Sequence, residues 1–158
     1  MNFTSKYKSP IGWMEIQGDE DSIHSILFSE VEPEETFYQS EFASKLKSDL
    51  DSYFQLGHWN FDYQLRPKGT QFQQKVWDEL QKIPFGKTIS YLDMAKSLGD
   101  EKVIRAAASA NGKNPISILI PCHRVIGKDG SLTGYAGGLH RKKFLLELEK
   151  SLTQTELF

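Results

Sequence analysis

Cys122 and His123 stand side by side, and Cys122 is the only cysteine among the 158 residues. A thiol with a histidine nearby has the makings of a nucleophile and its base. The reactive species is the thiolate, and a free thiol with a pKa of about 8.5 is only a few per cent ionised near neutral pH. A base must therefore take the proton. His123 is the candidate, and a carboxylate could orient it and balance its charge. Neighbours in an extended chain point to opposite sides, so contact between the two needs a turn or a bridging water. The lead-in is Asn114-Pro115-Ile116-Ser117-Ile118-Leu119-Ile120-Pro121. Its aliphatic run reads as buried chain, and Pro121 breaks any continuing ladder and fixes the local path. A second reading stays open, in which Cys122 is a small buried hydrophobe. A lone cysteine excludes an internal disulfide and a cysteine-rich zinc site.

The elements that must hold this segment can be read from periodicity. Residues 11–29 suggest two short strands separated by a turn at Gly18-Asp19. Phe42, Leu46, Leu50 and Phe54 recur every four residues, the stripe of an amphipathic helix ended by Gly57. Trp59, Phe61 and Tyr63 alternate with polar residues, as in a third strand. Arg66-Pro67-Lys68-Gly69 is a plausible linker. Beyond it, Phe72, Val76 and Leu80 form another helical stripe that stops at Pro84-Phe85-Gly86. Thr88-Ile89-Ser90 precedes a helix over Tyr91 to Leu98. Gly99-Asp100 makes a turn, and a second helix runs from about Glu101 to Asn111, with Gly112 suiting its end. This is the layout of a helix-turn-helix. The fold class expected is therefore mixed α/β (α+β): a small sheet-plus-helix domain over residues 1–66, then a mainly helical, winged-helix-like domain over 67–158.

The second helix of that pair carries Arg105 followed by Ala106, Ala107, Ala108, Ser109 and Ala110. So thin a helix can lie close to another surface, either the protein core or the floor of a nucleic-acid groove. Charge is divided unevenly. Residues 1–64 carry 4 Lys+Arg and 12 Asp+Glu, a net of −8, and residues 65–150 carry 15 and 8, a net of +7. Such a split suits a protein that meets a polyanion with one half, and it equally suits two solvated surfaces. No apolar run approaches the ~20 residues of a membrane helix. The first ten residues lack the apolar stretch of a signal peptide. The location expected is cytoplasmic.

Taken together, these residues resemble the methylated-DNA–protein-cysteine methyltransferases, the O6-alkylguanine-DNA alkyltransferases. The match centres on Asn114-Pro115 followed by Ile120-Pro121-Cys122-His123-Arg124-Val125. It is supported by Phe85-Gly86, Ser90-Tyr91, Arg105-Ala106, Gly134-Tyr135-Ala136-Gly137-Gly138, Leu145-Leu146 and Glu149. It is strong over about residues 69–149 and looser before them, and it implies a ribonuclease-H-like first domain.

The resemblance implies that Cys122 accepts an alkyl group from guanine O6, and from O4-methylthymine as well. His123 is its base through a bridging water, and Glu149 holds His123. Asn114 braces the turn into the active segment. Tyr91 helps rotate the nucleotide and donates to the flipped base. Arg105 fills the gap left in the stack. Ser90, Tyr91, Arg105, Ala106 and Lys128 form the DNA-facing set, and Val125, Tyr135 and Ala136 line the base pocket. Gly137 and Gly138 let the loop approach the base. The partner implied is double-stranded DNA bound by a monomer, with no cofactor and no metal. Ala107 and Ala108 stand where valine and glycine are frequent in the family, and both remain small. Two rivals are a lesion-sensing DNA-binding protein without transfer and a thiol hydrolase built on Cys122 and His123.

Overall fold

A computed structural model describes residues 2–36, 40–132 and 134–156, with the side chains of 153–156 left aside. The chain divides into two compact units. The first comprises residues 1–67 together with 115–117, and the second comprises 68–114 and 118–158.

The first unit is a four-stranded sheet with one helix. β1 (Phe3–Ser9), β2 (Gly12–Gly18) and β3 (Ser22–Ser29) form an antiparallel meander, and the two-residue β4 (Gln64–Leu65) pairs parallel to β3. One sheet face is inward, with Phe3, Tyr7, Met14, Ile16, Ile23 and Ile26 buried. α1 (Glu41–Leu56) supplies Ala43, Leu46, Leu50, Tyr53 and Phe54 to the same core. Ser40 caps α1 by accepting from the Ala43 N–H, and Gly57 ends it at φ 69°, the left-handed conformation that glycine adopts without a Cβ penalty. Residues 115–117 join this unit through β3. The Ile26 N–H donates to the Pro115 carbonyl and the Ser117 N–H donates to the Ile26 carbonyl, both at 2.9 Å.

Two expectations change here. Residues 3–29 hold three strands rather than two over 11–29. In β1, Phe3 and Tyr7 share the inward face with Ser5 and Ser9, and those small hydroxyls dilute its alternation. Trp59, Phe61 and Tyr63 do not form a strand, which is confined to Gln64–Leu65. Their alternation reflects ring packing instead. Tyr53 meets Trp59 and Phe61 at centroid distances of 5.5 and 5.8 Å, and Trp59 meets Phe61 edge-on at 4.7 Å.

The second unit is mainly helical. α2 (Gln71–Leu80) opens with a reciprocal capping box between Thr70 and Gln73. It buries Val76, Trp77 and Leu80, and the Trp77 indole N–H donates to the Ala110 carbonyl at 2.9 Å. β5 (Ile89–Ser90) pairs parallel with β6 (Val125–Ile126). α3 (Tyr91–Ser97) and α4 (Ile104–Gly112) form the helix-turn-helix, and α5 (Leu139–Glu156) closes the unit. The helix expected from Glu101 begins as a 3-10 turn over Glu101–Val103. The Asp100 carboxylate accepts from the Lys102 N–H, and the Asp100 carbonyl accepts from the Val103 N–H, so the first turn is tighter than α. Gly112 lies inside α4 rather than past its end, which is capped by Lys113. The fold class is mixed α/β, as the sequence suggests.

Candidate active site

The active segment reaches its turn through a strained residue. Ile118 is buried at φ 73°, a left-handed conformation rare for a β-branched side chain and costing about 1–3 kcal/mol. Leu119 and Ile120 follow, both buried. Pro121 then leads into a 3-10 turn over Cys122–Arg124, closed by the Arg124 N–H donating to the Pro121 carbonyl at 3.0 Å. Three residues per turn set consecutive side chains about 120° apart, so Cys122 and His123 are not forced to opposite faces as in a strand.

Asn114 fixes the thiol. Its amide donates to the Ile120 carbonyl at 2.7 Å and to Cys122 Sγ at 3.2 Å. Asn111 adds a longer donation to the Cys122 carbonyl at 3.4 Å. Burial pushes the thiol up to about 11, against the downward pull of the Asn114 amide and of the Lys142 ammonium. The proton therefore rests on sulfur in the free protein. Asn114→Ala should cost about 1–3 kcal/mol, the usual price of losing buried hydrogen bonds. It should also raise the thiol further. Urea denaturation and the ultraviolet titration of the thiolate would measure the two effects.

His123 is equally well defined. His123 is 0% exposed, and its Nε2 lies 2.8 Å from Glu149 Oε2. Burial lowers the imidazole below its ordinary value despite the adjacent Glu149 charge, so it is neutral at pH 7. Burial works to raise Glu149 as well, but the charges and hydrogen bonds of His123 and Arg124 outweigh it and hold the carboxyl near 2. An ionised Glu149 can only accept, so Nε2 carries the proton and Nδ1 presents its lone pair. Nδ1 is buried and has no hydrogen-bond partner among the described residues. A neutral imidazole with Nε2 tied to a carboxylate and Nδ1 without a hydrogen-bond partner can accept a proton.

Arg124 completes the arrangement. Nε and Nη2 reach the two Glu149 oxygens at 2.8 and 3.1 Å, and Nη1 donates to the Ile83 carbonyl at 2.7 Å. This bidentate fork sets the carboxylate plane that His123 meets. α5 contributes two further cations. Arg141 donates to the Gly137 carbonyl at 2.9 Å, beside Gly138 at φ 96°. Lys142, fully buried, donates to the Val125 carbonyl at 2.7 Å. Arg124 enters the sequence reading only as part of the matching string, without a role, and Lys142 does not enter it. The one signal for Lys142 is spacing, since Lys142 and Glu149 lie seven residues apart and so share a face of α5.

The remaining expected site residues separate into groups. Tyr91, Arg105 and Tyr135 line one cavity of about 460 Å³ with Ile104, Ala108, Gly112 and Gly134. Arg105 is exposed at its edge. Ala106 is exposed on α4, and Lys128 is exposed in the turn between Gly127 and Gly130. Ser90 caps α3 by accepting from the Asp93 N–H at 3.0 Å, while Asp93 accepts from the Ser90 N–H at 3.2 Å. Its side chain thus has a structural duty. Val125 is buried and Ala136 exposed, and neither lines the 460 Å³ cavity. Among the described residues no group of three or more His, Cys, Asp or Glu side chains could hold a metal ion.

Residues 71–151 match the family described as 6-O-methylguanine DNA methyltransferase, DNA binding domain, and residues 2–67 match its ribonuclease-like domain. A curated methylated-DNA–protein-cysteine methyltransferase of Methanosarcina acetivorans is 43% identical over 92% of this chain and 96% of its own. The chain belongs to the 6-O-methylguanine DNA methyltransferase family. The constitutive methylated-DNA–protein-cysteine methyltransferase of Bacillus subtilis is 40% identical over 95% of this chain and 96% of its own. The crystal structure of the Mycobacterium tuberculosis O6-methylguanine methyltransferase superposes with a TM-score of 0.82 at 39% identity, covering 96% of this chain and 94% of that one. The same mycobacterial protein in complex with DNA gives 0.82 at 41% identity, covering 93% and 92%. The resemblance read from the Pro-Cys-His-Arg-Val segment is borne out, and in this family member the segment forms the turn that carries Cys122 and His123.

Proposed function

We propose that this protein repairs double-stranded DNA by moving the alkyl group from O6 of an alkylated guanine onto Cys122 Sγ, once per molecule. The observation that carries this reading is the buried Cys122 thiol held by Asn114, next in the chain to a neutral His123 whose Nδ1 is available and whose Nε2 is tied to Glu149. Family membership and the DNA complex of the mycobacterial relative supply the substrate class.

The reaction balances without a co-reactant. The thiol proton passes to His123 Nδ1 through a bridging water, and Glu149 balances the imidazolium that forms. The sulfur attacks the alkyl carbon in line, so the S–C bond forms as the C–O6 bond breaks. The electron pair leaves with guanine, and a hydrogen bond donated by the Tyr91 hydroxyl stabilises the developing charge. The thiol is the reagent, so no cofactor is needed. The product is a stable thioether, and the acceptor is spent.

The target atom lies inside the duplex, so the nucleotide must be turned out at a cost of a few kcal/mol, less for a damaged pair. Arg105, at the start of α4, fills the gap left in the stack. Ser90, Ala106 and Lys128 complete the DNA-facing surface, with Ser90 acting through the start of α3. The turned-out base enters the cavity lined by Tyr91 and Tyr135, with Val125 and Ala136 flanking it. O4-methylthymine fits the same chemistry, an alkyl group on a ring oxygen. The protein acts as a monomer in the cytoplasm, where an unpaired thiol stays reduced. Among the described residues no helix is long and apolar enough to cross a membrane.

The test is the intact mass of the protein after mixing with excess duplex carrying one O6-methylguanine. The expected result is a gain of one methyl group on the peptide containing Cys122, with no second turnover. Unchanged mass with tight binding would make it a lesion sensor, and release of product with repeated turnover would make it a hydrolase.

A further inference from the structure

α5 opens on four basic residues in succession, His140, Arg141, Lys142 and Lys143, with no acidic residue in its first turn. The N-terminus of a helix carries a partial positive charge, so cations there are disfavoured. His140 and Lys143 are exposed, where water and salt screen them. Arg141 is only 6% exposed, so its place in the first turn must be offset by contacts of its own. Its Nη1 donates to the Gly137 carbonyl at 2.9 Å. Gly137 precedes the helix and belongs to the segment Gly134-Tyr135-Ala136-Gly137-Gly138. Three of these five residues are glycine, so the segment has much backbone freedom to lose. Its far end is fixed by backbone bonds. The Gly138 N–H donates to the Tyr135 carbonyl at 2.9 Å, and the Gly138 carbonyl accepts from the Arg141 and Lys142 N–H groups at 3.2 Å. Its near end, Gly134 and Tyr135, lines the 460 Å³ cavity together with Tyr91 and Arg105. A Cβ on Gly134 would lie 3.9 Å from the Tyr91 hydroxyl oxygen, so the segment forms a wall beside that phenol.

We propose that Arg141 is a positioning residue that sets substrate fit, tethering Gly137 to α5 and so holding the Gly134–Tyr135 wall of the cavity that receives the turned-out base. The proposal rests on the transfer reading above. Arg141 touches neither the base nor the reacting atoms in this account and acts through the segment it holds. A guanidinium suits the task, because its planar fork is pre-organised and its charge strengthens the bond to a carbonyl. The bond reaches the middle of the glycine-rich segment, between the wall at Gly134–Tyr135 and the helix start at Leu139. A wall held there leaves a gap of fixed width beside Tyr91, which favours a small alkyl group placed accurately over the thiol. A wall released from α5 gives way to a bulkier group and holds a methyl group less well.

The experiment compares wild type with Arg141→Met and Arg141→Lys. Single-turnover transfer is measured from duplexes carrying O6-methylguanine or O6-benzylguanine, beside affinity for unmodified duplex, thermal melting and amide hydrogen exchange of the peptide covering residues 134–138. A hydrogen bond from a charged donor favours the ordered arrangement by about ten- to a hundredfold. Methionine should therefore slow methyl transfer by about tenfold or more, while benzyl transfer falls less, so that the benzyl-to-methyl ratio rises about threefold or more. Exchange over residues 134–138 should quicken. Affinity for unmodified duplex should hold, because Arg141 is buried and offers no charge to the phosphates. Lysine, a single donor on a flexible stem, should shift the ratio the same way by less. A folded methionine variant whose two rates fall equally would reduce Arg141 to a stabiliser of α5 and overturn the proposal. Unchanged exchange over residues 134–138 would overturn it as well, because the segment would then be held without the tether. If methionine does not fold, the ratio in the lysine variant decides. Failure of wild type to transfer methyl at all would instead overturn the transfer reading.

Discussion

Cys122→Ala should bind a duplex carrying O6-methylguanine with nearly wild-type affinity and leave the methyl group on the base indefinitely. The effect is absolute because the acceptor atom itself is gone. Cys122 is the only cysteine in the chain, so no second thiol can take the group. Binding survives because Cys122 is buried, with only 5% of the residue exposed, and contributes almost nothing to an outer surface. Phosphate contacts, which supply most of the affinity for DNA, come from exposed Lys and Arg elsewhere. Cys122→Ser is the sharper variant. It keeps the shape and the Asn114 contact but replaces a thiol by an alcohol, whose proton His123 cannot remove to a useful extent before attack. Fluorescence anisotropy would measure binding, and intact mass the methyl transferred. Methylated protein from the alanine variant would move the acceptor to another residue. Loss of binding in both variants would mean that the cysteine shapes the DNA surface, which its burial argues against.

How much of this could be read in advance differs from one element to the next. The stripes of α1 and α2 were legible because four-residue spacing survives any tertiary context that buries one face. The helix-turn-helix was legible from Ser90, Gly99 and Asp100, whose side chains or backbone freedom punctuate it. Trp59 and Phe61 misled because alternation can come from aromatic packing as well as from a ladder. β1 escaped notice because serines occupy half of its inward face. The thiol and its neighbouring histidine are adjacent in sequence, and the 3-10 turn that relates them follows from Pro121. The partnership of His123 with Glu149 spans 26 residues and was implied by resemblance alone. Nothing local announces it, since Glu149 sits in a helix dense with charge. The part of Arg124 in the Glu149 pair and the burial of Lys142 are not legible for the same reason. Composition places such cations on the surface by default, and only the packing of α5 against the Cys122–Arg124 turn buries them.

Glu149→Ala should destabilise the protein by about 3–5 kcal/mol, the usual cost of stripping one partner from a buried ion pair. It would leave the Arg124 guanidinium, 2% exposed, without the carboxylate that both Nε and Nη2 address. The titration argument gives a similar size. The Glu149 carboxyl is held near 2 in the fold against an ordinary 4.5, a difference of roughly 3 kcal/mol. Because the folded value is depressed, that stability is fully present above about pH 4.5 and is lost as pH falls toward 2. His123 is also depressed from 6.5, so its contribution erodes earlier, as pH falls below about 6.5. Urea denaturation of wild type should therefore show stability falling in two stages on acidification, and Glu149→Gln should lack the lower one. The proposed function gives the same carboxylate a second duty, which the double variant Arg124→Met with Glu149→Leu separates from the first. Replacing both ions by apolar side chains removes the uncompensated charge and should recover most of the stability lost in Glu149→Ala. It cannot restore transfer, because His123 would then have no anion to balance the imidazolium it becomes. A stable double variant that still methylates Cys122 at the wild-type rate would confine Glu149 to a structural role and leave His123 to act unaided.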